Sequence, residues 1–436
     1  MASAGRIVLR GGRVIDRSLN IDHVCDVIIV GDVIEALVDC GGQYDGNDDV
    51  RDVSGCLVVP GLIDLHIHGY EHATPLGIDV DKYCLHRGVT TAVDAGSAGA
   101  TTFPGLRKFI AEKSRTRLLA YLNISMHGLA SAGCSGYGLG GELDSAKQIN
   151  ADSAAKCIEE NRDMIVGIKI RLSADGANDG KNEQLAMRTA LECAKRVQLP
   201  VMAHHSMSTV KLGGEEEVLS CPGSLRPGDV YTHFYHAYES TVVDVSEPHP
   251  VGGYSKFDPA VLEARKHGVL MDIGHGQGSF SWTIAELGAK EGQWPDVIST
   301  DLHTGSMDGP AYDLPTVMTK MLHVGMPLLD IITAVTATPA ECCGRADKHQ
   351  LRPGAEADVT VLRLDDCSTH LEDSQAQLRH VTKRILPVAV WRAGEEADII
   401  LPEVWPNTAR MPTLSKEWKK LLVKDAKAPE AMAALQ

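Results

Sequence analysis

The feature that most constrains the fold is an apolar run that ends in two histidines, Leu57-Val-Val-Pro-Gly-Leu-Ile-Asp-Leu-His-Ile-His68. Side chains alternate between the two faces of a strand, so residues two apart point the same way. His66 and His68 can therefore bind one metal ion from the end of a buried strand. Paired histidines also occur by chance on protein surfaces, but the apolar run and its Pro-Gly turn favour burial and a metal role.

Apolar, strand-like runs alternate with helical stretches through the middle of the chain, which is typical of βα units around a parallel sheet. Amphipathic helices are predicted between several of them, for example at Asn182–Val197 and Pro259–His267. Eight strands over about 240 residues fit an α/β fold with a (β/α)8 TIM-like barrel. The predicted strands are Gly61–His66, Thr90–Asp94, Leu118–Ile124, Met164–Arg171, Pro200–His204, Asp229–His233, Val269–Ile273 and Val297–Asp301.

Short strands are also predicted at both ends of the chain. They are Arg6–Val14, Val24–Ile34, Leu351–Leu362 and Val388–Trp391. The simplest arrangement is one small β-sandwich domain built from residues 1–58 and 349–410, attached to a barrel over residues 59–348. Two unrelated flanking hairpins are the alternative. Residues 411–436 are rich in Lys and Ala and predict a polar helical tail.

Residue types that bind metals stand at the ends of five predicted strands. In a barrel of this type the carboxyl ends of the strands form the catalytic face. Lys169 lies inside an apolar run, where burial of an ammonium group is costly and lowers its pKa. The alternative for Lys169 is a side chain that reaches out of the barrel end. A single histidine at a strand end is more often a core residue, but the full set predicts a metal centre: His66, His68, Lys169, His204, His233 and Asp301.

Several motifs connect the chain to a known family. They are Pro60–His68, Gly88–Gly99, Leu122–Ser125, Gly167–Arg171, Asp272–Gly276, Ser299–His303 and the closing stretch Gly354–Leu362. With these motifs, the chain from about Ile7 to about Leu364 resembles the amidohydrolase superfamily of metal-dependent hydrolases. Within that superfamily it most resembles the branch of deacetylases and dihydroorotase-like amidohydrolases.

The resemblance implies a binuclear metal centre. One ion would be held by His66, His68 and Asp301, and the other by His204 and His233. Lys169 would bridge the two ions after reacting with carbon dioxide to form a carbamate, because a lysine kept neutral by burial is nucleophilic. Zinc is the expected metal since imidazole and carboxylate ligands suit it, although manganese, cobalt or iron could occupy such a site.

The implied reaction is the hydrolysis of an amide or an acetyl group, by N- or O-deacetylation, in a small carboxylate-bearing molecule. A hydroxide bridging the ions would attack the carbonyl, and Asp301 would act as general base and then as general acid. A cyclic-amide hydrolase of the dihydroorotase or hydantoinase type is the alternative enzyme. The competing class is a non-catalytic assembly protein with this fold, but such relatives typically lose metal ligands, whereas this chain keeps the whole set.

Two candidate substrate contacts lie close to the predicted ligands in the sequence. Tyr70 follows the histidine pair, and with Gly69 it occupies positions where dihydroorotases usually place an arginine that holds a carboxylate. This departure argues against a dihydroorotase. Arg171 shares the strand face of Lys169 and could hold a substrate carboxylate, with a salt bridge at the rim as the alternative.

Three further candidates follow from loops at the same end of the barrel. His236 and His275 are expected there, either as substrate contacts or as supports for the metal ligands. Tyr137, in the Gly-rich stretch Gly133–Gly141, is similar to a loop tyrosine that related cyclic-amide hydrolases use on the oxyanion.

Charge and cysteine content limit the partners and the compartment. The formal net charge of −16 argues against nucleic acid and acidic membranes, because both require basic surface. We find no apolar run as long as a membrane-spanning helix. The eleven cysteines are scattered and odd in number, which predicts reduced thiols in a cytoplasmic enzyme. The expected partner is a small-molecule substrate, and a homo-oligomer is compatible with the sequence.

Overall fold

The computed structural model describes residues 5–131, 140–214, 218–238, 240–244 and 256–404. The strands in these ranges are β1 (Arg6–Asp16), β2 (Ile21–Val30), β3 (Val33–Val38), β4 (Asp49–Asp52), β5 (Leu57–Pro60), β6 (Leu62–Ile67), β7 (Val89–Gly99), β8 (Arg117–Asn123), β9 (Ile165–Leu172), β10 (Val201–His205), β11 (Val230–Thr232), β12 (Leu270–Met271), β13 (Val359–Glu372), β14 (Leu378–Arg392) and β15 (Glu395–Ala397). The helices are α1 (Val80–Tyr83), α2 (Phe103–Gly105), α3 (Ala151–Glu160), α4 (Glu183–Val197), α5 (Pro259–Lys266), α6 (Trp282–Glu291), α7 (Leu314–His323), α8 (Leu328–Val335) and α9 (Ala337–Cys342). Short 3-10 turns lie at Arg17–Leu19, Leu85–Arg87, Gly128–Ser131, Ala146–Gln148 and Ala174–Gly176, and a π-helical turn at Leu106–Ala111.

Strands β6 to β12 form a parallel sheet in which each strand pairs with the next one along the chain. Seven of the eight predicted barrel strands are present, and the helices between them confirm the α/β class. The eighth, predicted at Val297–Asp301, is not a regular strand. Its segment makes single parallel bridges from Val297 to Asp272 and from Leu302 to Ile67, and so connects the last strand of the curled sheet to the first. The φ angle of +46° at Asp301 interrupts the extended backbone there.

The inside of the curled sheet is apolar. Ile63, Val93, Leu119, Met202 and Val230 come from five different strands and share one buried cluster. A cluster to which strands all around the sheet contribute lies inside its curve. A larger cluster combines the other faces of the strands with helices such as α3, α4, α7 and α8. The two clusters fix the strands firmly and leave their carboxyl ends to polar residues.

Strands from both ends of the chain form a second sheet, in the order β15-β14-β13-β5-β1-β2-β3, with β4 beside β1. Strand β5 pairs in parallel with β1 and antiparallel with β13, which joins the two ends of the chain. Two separate flanking hairpins would lack this pairing. The β-sandwich form and the domain boundaries stay predictions, and the predicted tail at 411–436 lies outside the described residues.

The hairpin of β13 and β14 reaches from the second sheet to the loop that follows β12. Asp373 accepts a hydrogen bond from the backbone N–H of Trp282 (3.0 Å), and the N–H of Ser374 donates to the carbonyl of Phe280 (3.0 Å). The buried ammonium of Lys320 on α7 donates to the carbonyls of Pro310 (2.8 Å) and Glu372. The hairpin tip therefore braces the segment that leads from β12 into α6.

Two sequence expectations concern the environment of the protein. Across the described ranges, every helix is too short or too polar to cross a lipid bilayer. The ten cysteines in these ranges are free thiols, and Cys342 and Cys343 are not joined to each other.

Candidate active site

The six predicted metal ligands lie in one chain of contacts at the carboxyl ends of the parallel strands. His66 is at the end of β6, Lys169 lies on β9 and His204 on β10. His233 follows β11 directly, and Asp301 belongs to the segment that connects the edges of the sheet. The strands place these side chains together because parallel strands end at the same edge of a sheet.

His66, His68 and Asp301 form the first part of the cluster. Asp301 Oδ1 lies 3.0 Å from His68 Nε2 and 3.3 Å from His66 Nε2. Burial alone would raise the pKa of Asp301, but the positive charge that His66 and His68 carry when protonated outweighs burial and lowers that pKa below its usual range. Asp301 is therefore a carboxylate at neutral pH, which suits both a metal ligand and a proton acceptor.

Lys169 lies beside the same carboxylate. Its Nζ is 3.2 Å from His66 Nε2, and only 3% of the residue is exposed. Burial lowers the pKa of Lys169 to about 8 against the opposing attraction of Asp301. About a tenth of the molecules therefore carry Lys169 as a neutral amine at pH 7, far more than for an exposed lysine.

His204 and His233 form the second part of the cluster. His233 Nε2 lies 2.6 Å from His204 Nδ1, and the His233 ring centroid is 5.3 Å from that of His66. Burial lowers the pKa of His233 to about 4 and the pKa of His204 well below its ordinary value. Both rings are neutral at physiological pH, which is the protonation state of a metal-binding imidazole.

Two observations on the candidate donor atoms are those expected of a site that binds cations. Single ligand atoms of His66, His233 and Asp301 all lie within 4.8 Å of one another. The buried Asp301 Oδ1 touches two ring nitrogens, His66 Nε2 and His68 Nε2, without a well-formed hydrogen bond to either. Buried polar atoms are nearly always satisfied, so this carboxylate oxygen points to a cation bound between the side chains. Neutral imidazoles and a carboxylate are donors that zinc favours.

The backbone is strained at two of the six positions. The φ angles of His233 (+68°) and Asp301 (+46°) lie in the left-handed region, which costs about 1–3 kcal/mol per residue outside glycine. Strand β11 ends at Thr232, so the change of backbone direction brings the side chains of both Thr232 and His233 to the ligand cluster. Backbone strain of this kind is concentrated at functional sites.

Each of three imidazoles in the predicted ligand set contacts a supporting group through its other nitrogen. His66 Nδ1 is 3.0 Å from Thr232 Oγ1, and His68 Nδ1 is 2.9 Å from Ser97 Oγ. His233 Nδ1 is 2.7 Å from the carbonyl oxygen of Gly274. Such contacts orient metal-binding histidines and are part of the site.

The structure gives two predicted substrate contacts other partners. The hydroxyl of Tyr70 donates to the carbonyl of Thr102 (3.0 Å). The guanidinium of Arg171 makes two bonds of 2.7 Å with Glu142, which is fully buried. The Glu142 carboxylate thus takes the place that we expected for a substrate carboxylate. The pairing is buried rather than at an exposed rim, because Arg171 is only 9% exposed.

The three remaining candidates differ from one another. His275 Nδ1 lies 2.9 Å from the carbonyl of Gly276 and its Nε2 lies 2.8 Å from Lys320 Nζ, so both ring nitrogens are engaged by the protein. His236 Nδ1 accepts from the N–H of Tyr238 (3.3 Å), while its Nε2 is buried without a hydrogen-bond partner. Tyr137 lies outside the described residues.

Several residues around the ligands were missed by the sequence analysis. Thr232 and Ser97 contact ligand imidazoles, Asp272 accepts from Thr232 (2.6 Å), and the ring centroid of His303 lies 6.2 Å from that of His68. Asp272 and His303 stand in motifs that carry the family resemblance, and this was the available signal. Ser97 also stands in such a motif, Gly88–Gly99, whereas Thr232 offered no signal, because hydroxyl residues are common at strand ends.

Comparisons with known proteins agree on one family. Residues 57–397 match the amidohydrolase family. The chain is 34% identical over 362 residues to a deacetylase from Agrobacterium fabrum, covering 83% of this chain and 84% of the relative. It is 34% identical over 336 residues to a deacetylase from Brucella anthropi, covering 77% and 78%. A crystal structure of a dihydroorotase superposes with a TM-score of 0.78 at 31% identity, covering 91% of this chain and all of that one.

Fold, site and comparisons together define a metal-dependent hydrolase that acts on C–N bonds. The chain belongs to the amidohydrolase family. The predicted resemblance to its deacetylase and dihydroorotase-like members is confirmed.

Proposed function

We propose that the protein removes an acetyl group from the nitrogen or oxygen of a small molecule at a binuclear metal centre. The observation that carries the proposal is the convergence of donor atoms of His66, His233 and Asp301, all within 4.8 Å of one another, with His233 neutral and Asp301 ionised. The similarity to two deacetylases over most of the chain supports the choice of bond.

The residues divide into two ligand groups. His66, His68 and Asp301 would hold one divalent ion, and His204 and His233 the other, with zinc as the first choice of metal. When bound, the two ions would polarise the substrate carbonyl and lower the pKa of the attacking water. Lys169 would join the two groups as a carbamate: its neutral amine forms an N–C bond to carbon dioxide and loses a proton, which leaves an anionic two-oxygen ligand.

Asp301 is the proposed proton carrier. Its Oδ1 contacts His66 and His68, which leaves Oδ2 to accept the proton of the attacking water. The same atom can return the proton to the leaving nitrogen or oxygen, so one carboxylate serves as base and then as acid. Its lowered pKa keeps Asp301 in the base form at the start of each turnover.

A cyclic-amide hydrolase is the second candidate, because the superposed crystal structure is that of a dihydroorotase. Residues 69 and 70 do not favour it. A side chain at Gly69 would meet Val80 Cγ1 at 2.6 Å and Ile67 Cδ1 at 2.9 Å, and the Tyr70 hydroxyl is bound to Thr102. These positions offer no cation for a carboxylate.

The predicted carboxylate of the substrate is a separate part of the proposal. Glu142 occupies the guanidinium of Arg171, so a carboxylate on the substrate would have to displace it or bind elsewhere. Neutral acetyl compounds therefore belong in the test beside acetylated acids. We further propose a cytoplasmic location, consistent with the free thiols of the described ranges, with neither nucleic acid nor membrane as a partner. Assembly into a homo-oligomer also stays a proposal.

The test combines metal analysis with a substrate screen. Purified protein should contain two divalent ions and lose activity to a chelator. It should hydrolyse N-acetyl or O-acetyl compounds in a panel that pairs each acid with its neutral analogue and includes cyclic amides. Activity confined to cyclic amides would overturn the deacetylase assignment, and a metal-free, chelator-insensitive protein would overturn the enzyme itself.

Two variants test the assigned roles. Asp301→Asn should lower kcat by about 10²–10⁴-fold through loss of the proton carrier. Asp308→Asn, at an exposed position in the same loop, is the matched control and should retain activity. Lys169→Ala should reduce the metal content, and full binuclear loading with full turnover in this variant would contradict the carbamate bridge.

A further inference from the structure

Asp272 is a fully buried carboxylate behind the ligand cluster, and both of its oxygens accept hydrogen bonds. Its Oδ2 accepts from the hydroxyl of Thr232 (2.6 Å), and its Oδ1 accepts from the hydroxyl of Ser299 (2.6 Å). Thr232 precedes His233, and Ser299 lies two residues before Asp301. Asp272 thus links two segments that carry proposed metal ligands.

The first hydroxyl fixes the tautomer of His66. A hydroxyl has one proton to donate, and Thr232 gives its proton to Asp272, because an ionised carboxylate can only accept. Thr232 Oγ1 can then only accept from His66 Nδ1, 3.0 Å away. The proton of the neutral His66 ring therefore sits on Nδ1, and the lone pair of Nε2 faces Lys169 Nζ and Asp301 Oδ1.

The second hydroxyl reaches His233 through the backbone of Gly274. Ser299 gives its proton to Asp272 and accepts from the N–H of Gly274 (3.1 Å). The carbonyl of Gly274 in turn accepts from His233 Nδ1 (2.7 Å), which puts the lone pair of His233 on Nε2, the atom that faces His204 Nδ1 (2.6 Å) at the proposed second metal position. A Cβ atom at Gly274 would overlap Thr232 Oγ1 and lie 3.0 Å from His233 Nδ1. Only glycine therefore fits between the two arms of the network, the one through Thr232 and the one through Ser299.

We propose that Asp272 is a positioning residue that sets the Nδ1–H tautomer of His66 through Thr232. Through Ser299 it also positions Gly274, whose carbonyl holds His233 in the same tautomer. One carboxylate would then orient one imidazole at each of the two metal positions. His68 is outside this network, because its Nδ1 contacts Ser97, whose N–H donates to Asp94 (2.7 Å). The inference rests on the proposed binuclear centre.

The test separates the two arms by substitution. Thr232→Val removes the first hydroxyl at constant shape, Thr232→Ser retains it, and Ser299→Ala removes the second. Thr336→Val is the matched control, because Thr336 is equally buried and its hydroxyl donates to a helix carbonyl, that of Ile332 (2.6 Å). The full-length metal-free proteins are titrated with zinc, and bound zinc is counted by elemental analysis.

Each arm should support a different ion. Thr232→Val and Ser299→Ala should each weaken one of the two zinc sites by about 10- to 100-fold, and the double variant should weaken both. Thr232→Ser and Thr336→Val should bind two zinc ions with the affinity of the wild type. Three results would overturn the proposed relay, that is, the hydrogen bonds from Asp272 through Thr232 and Ser299 to the two histidines. They are unchanged zinc affinity in Thr232→Val, failure of Thr232→Ser to keep the wild-type zinc affinity, and a double variant that still has one tight zinc site.

A second readout decides the relay independently of metal. In the metal-free protein labelled with ¹⁵N-histidine, the His66 and His233 rings should be Nδ1–H tautomers, and Thr232→Val should change the tautomer of His66 alone. A wild type that binds no zinc but shows this pattern would refute the binuclear function and support the relay. An Nε2–H tautomer of His66 in the wild type would refute the relay.

Discussion

Substitution of Gly96 by alanine should test how closely the metal centre depends on the position of Lys169. Gly96 has a φ angle of +87°, and a Cβ atom there would lie 2.7 Å from both Cβ and Cγ of Lys169. These atoms are the stem of the lysine rather than its flexible end. The clash can therefore be relieved only by moving strand β9 or the base of the side chain.

The size of the effect follows from the contact distance. Carbon atoms pack at about 3.5–4.0 Å, so Lys169 must move by about 1 Å to accommodate the new methyl group. A displacement of about 1 Å in a catalytic site can lower kcat by about 10²-fold. The alanine also pays about 1–2 kcal/mol of free energy for a left-handed backbone conformation.

Gly292→Ala separates the clash from the backbone cost. Gly292 ends α6 with a φ angle of +67°, and a Cβ atom there would meet nothing within 4 Å. Both variants should lose a similar free energy of unfolding from backbone strain, measured by urea denaturation. Only Gly96→Ala should lose bound metal and kcat. Equal activity in the two variants, with equal metal content, would refute the close coupling between Gly96 and Lys169.

Three further outcomes are expected. Lys320→Met removes the donor to the carbonyls of Pro310 and Glu372. The free energy of unfolding, measured by urea denaturation, should therefore fall by about 3 kcal/mol or more. The control, Lys290→Met at an exposed position, should have little effect. Burial lowers the pKa of His205 from 6.5 to about 4. Between these two pH values the unfolded chain binds a proton that the folded protein excludes. The free energy of unfolding should therefore fall by roughly 3 kcal/mol as the pH drops from 6.5 to about 4. His205→Gln should flatten this part of the profile in metal-free protein, and an unchanged slope would assign it to other groups. Gly276→Ala should reduce kcat with little loss of folded protein, because its Cβ would overlap Asp301 Oδ2, and wild-type turnover would contradict that contact.

The sequence by itself determined the parallel sheet and the candidate ligands. Regular apolar runs predict strands wherever they occur, because burial in a sheet requires them. Because parallel strands end at the same edge of a sheet, the strand positions alone predicted that His66, Lys169 and His204 lie at one edge. The eighth segment departed from the prediction, because it makes only single bridges at Val297 and Leu302, and the left-handed φ at Asp301 ends its extended backbone.

Only the tertiary structure decided which polar side chains face the ligands and which are occupied by the protein. Glu142 neutralises Arg171 from 29 residues away, and Lys320 engages His275 from 45 residues away. A hydrogen bond between residues so far apart leaves no periodic trace in a single sequence, because its energy depends on the positions of two atoms and not on local pattern. The same holds for the hydroxyl of Thr232, whose role is set by the distance to Asp272 and by the turn of the chain at His233.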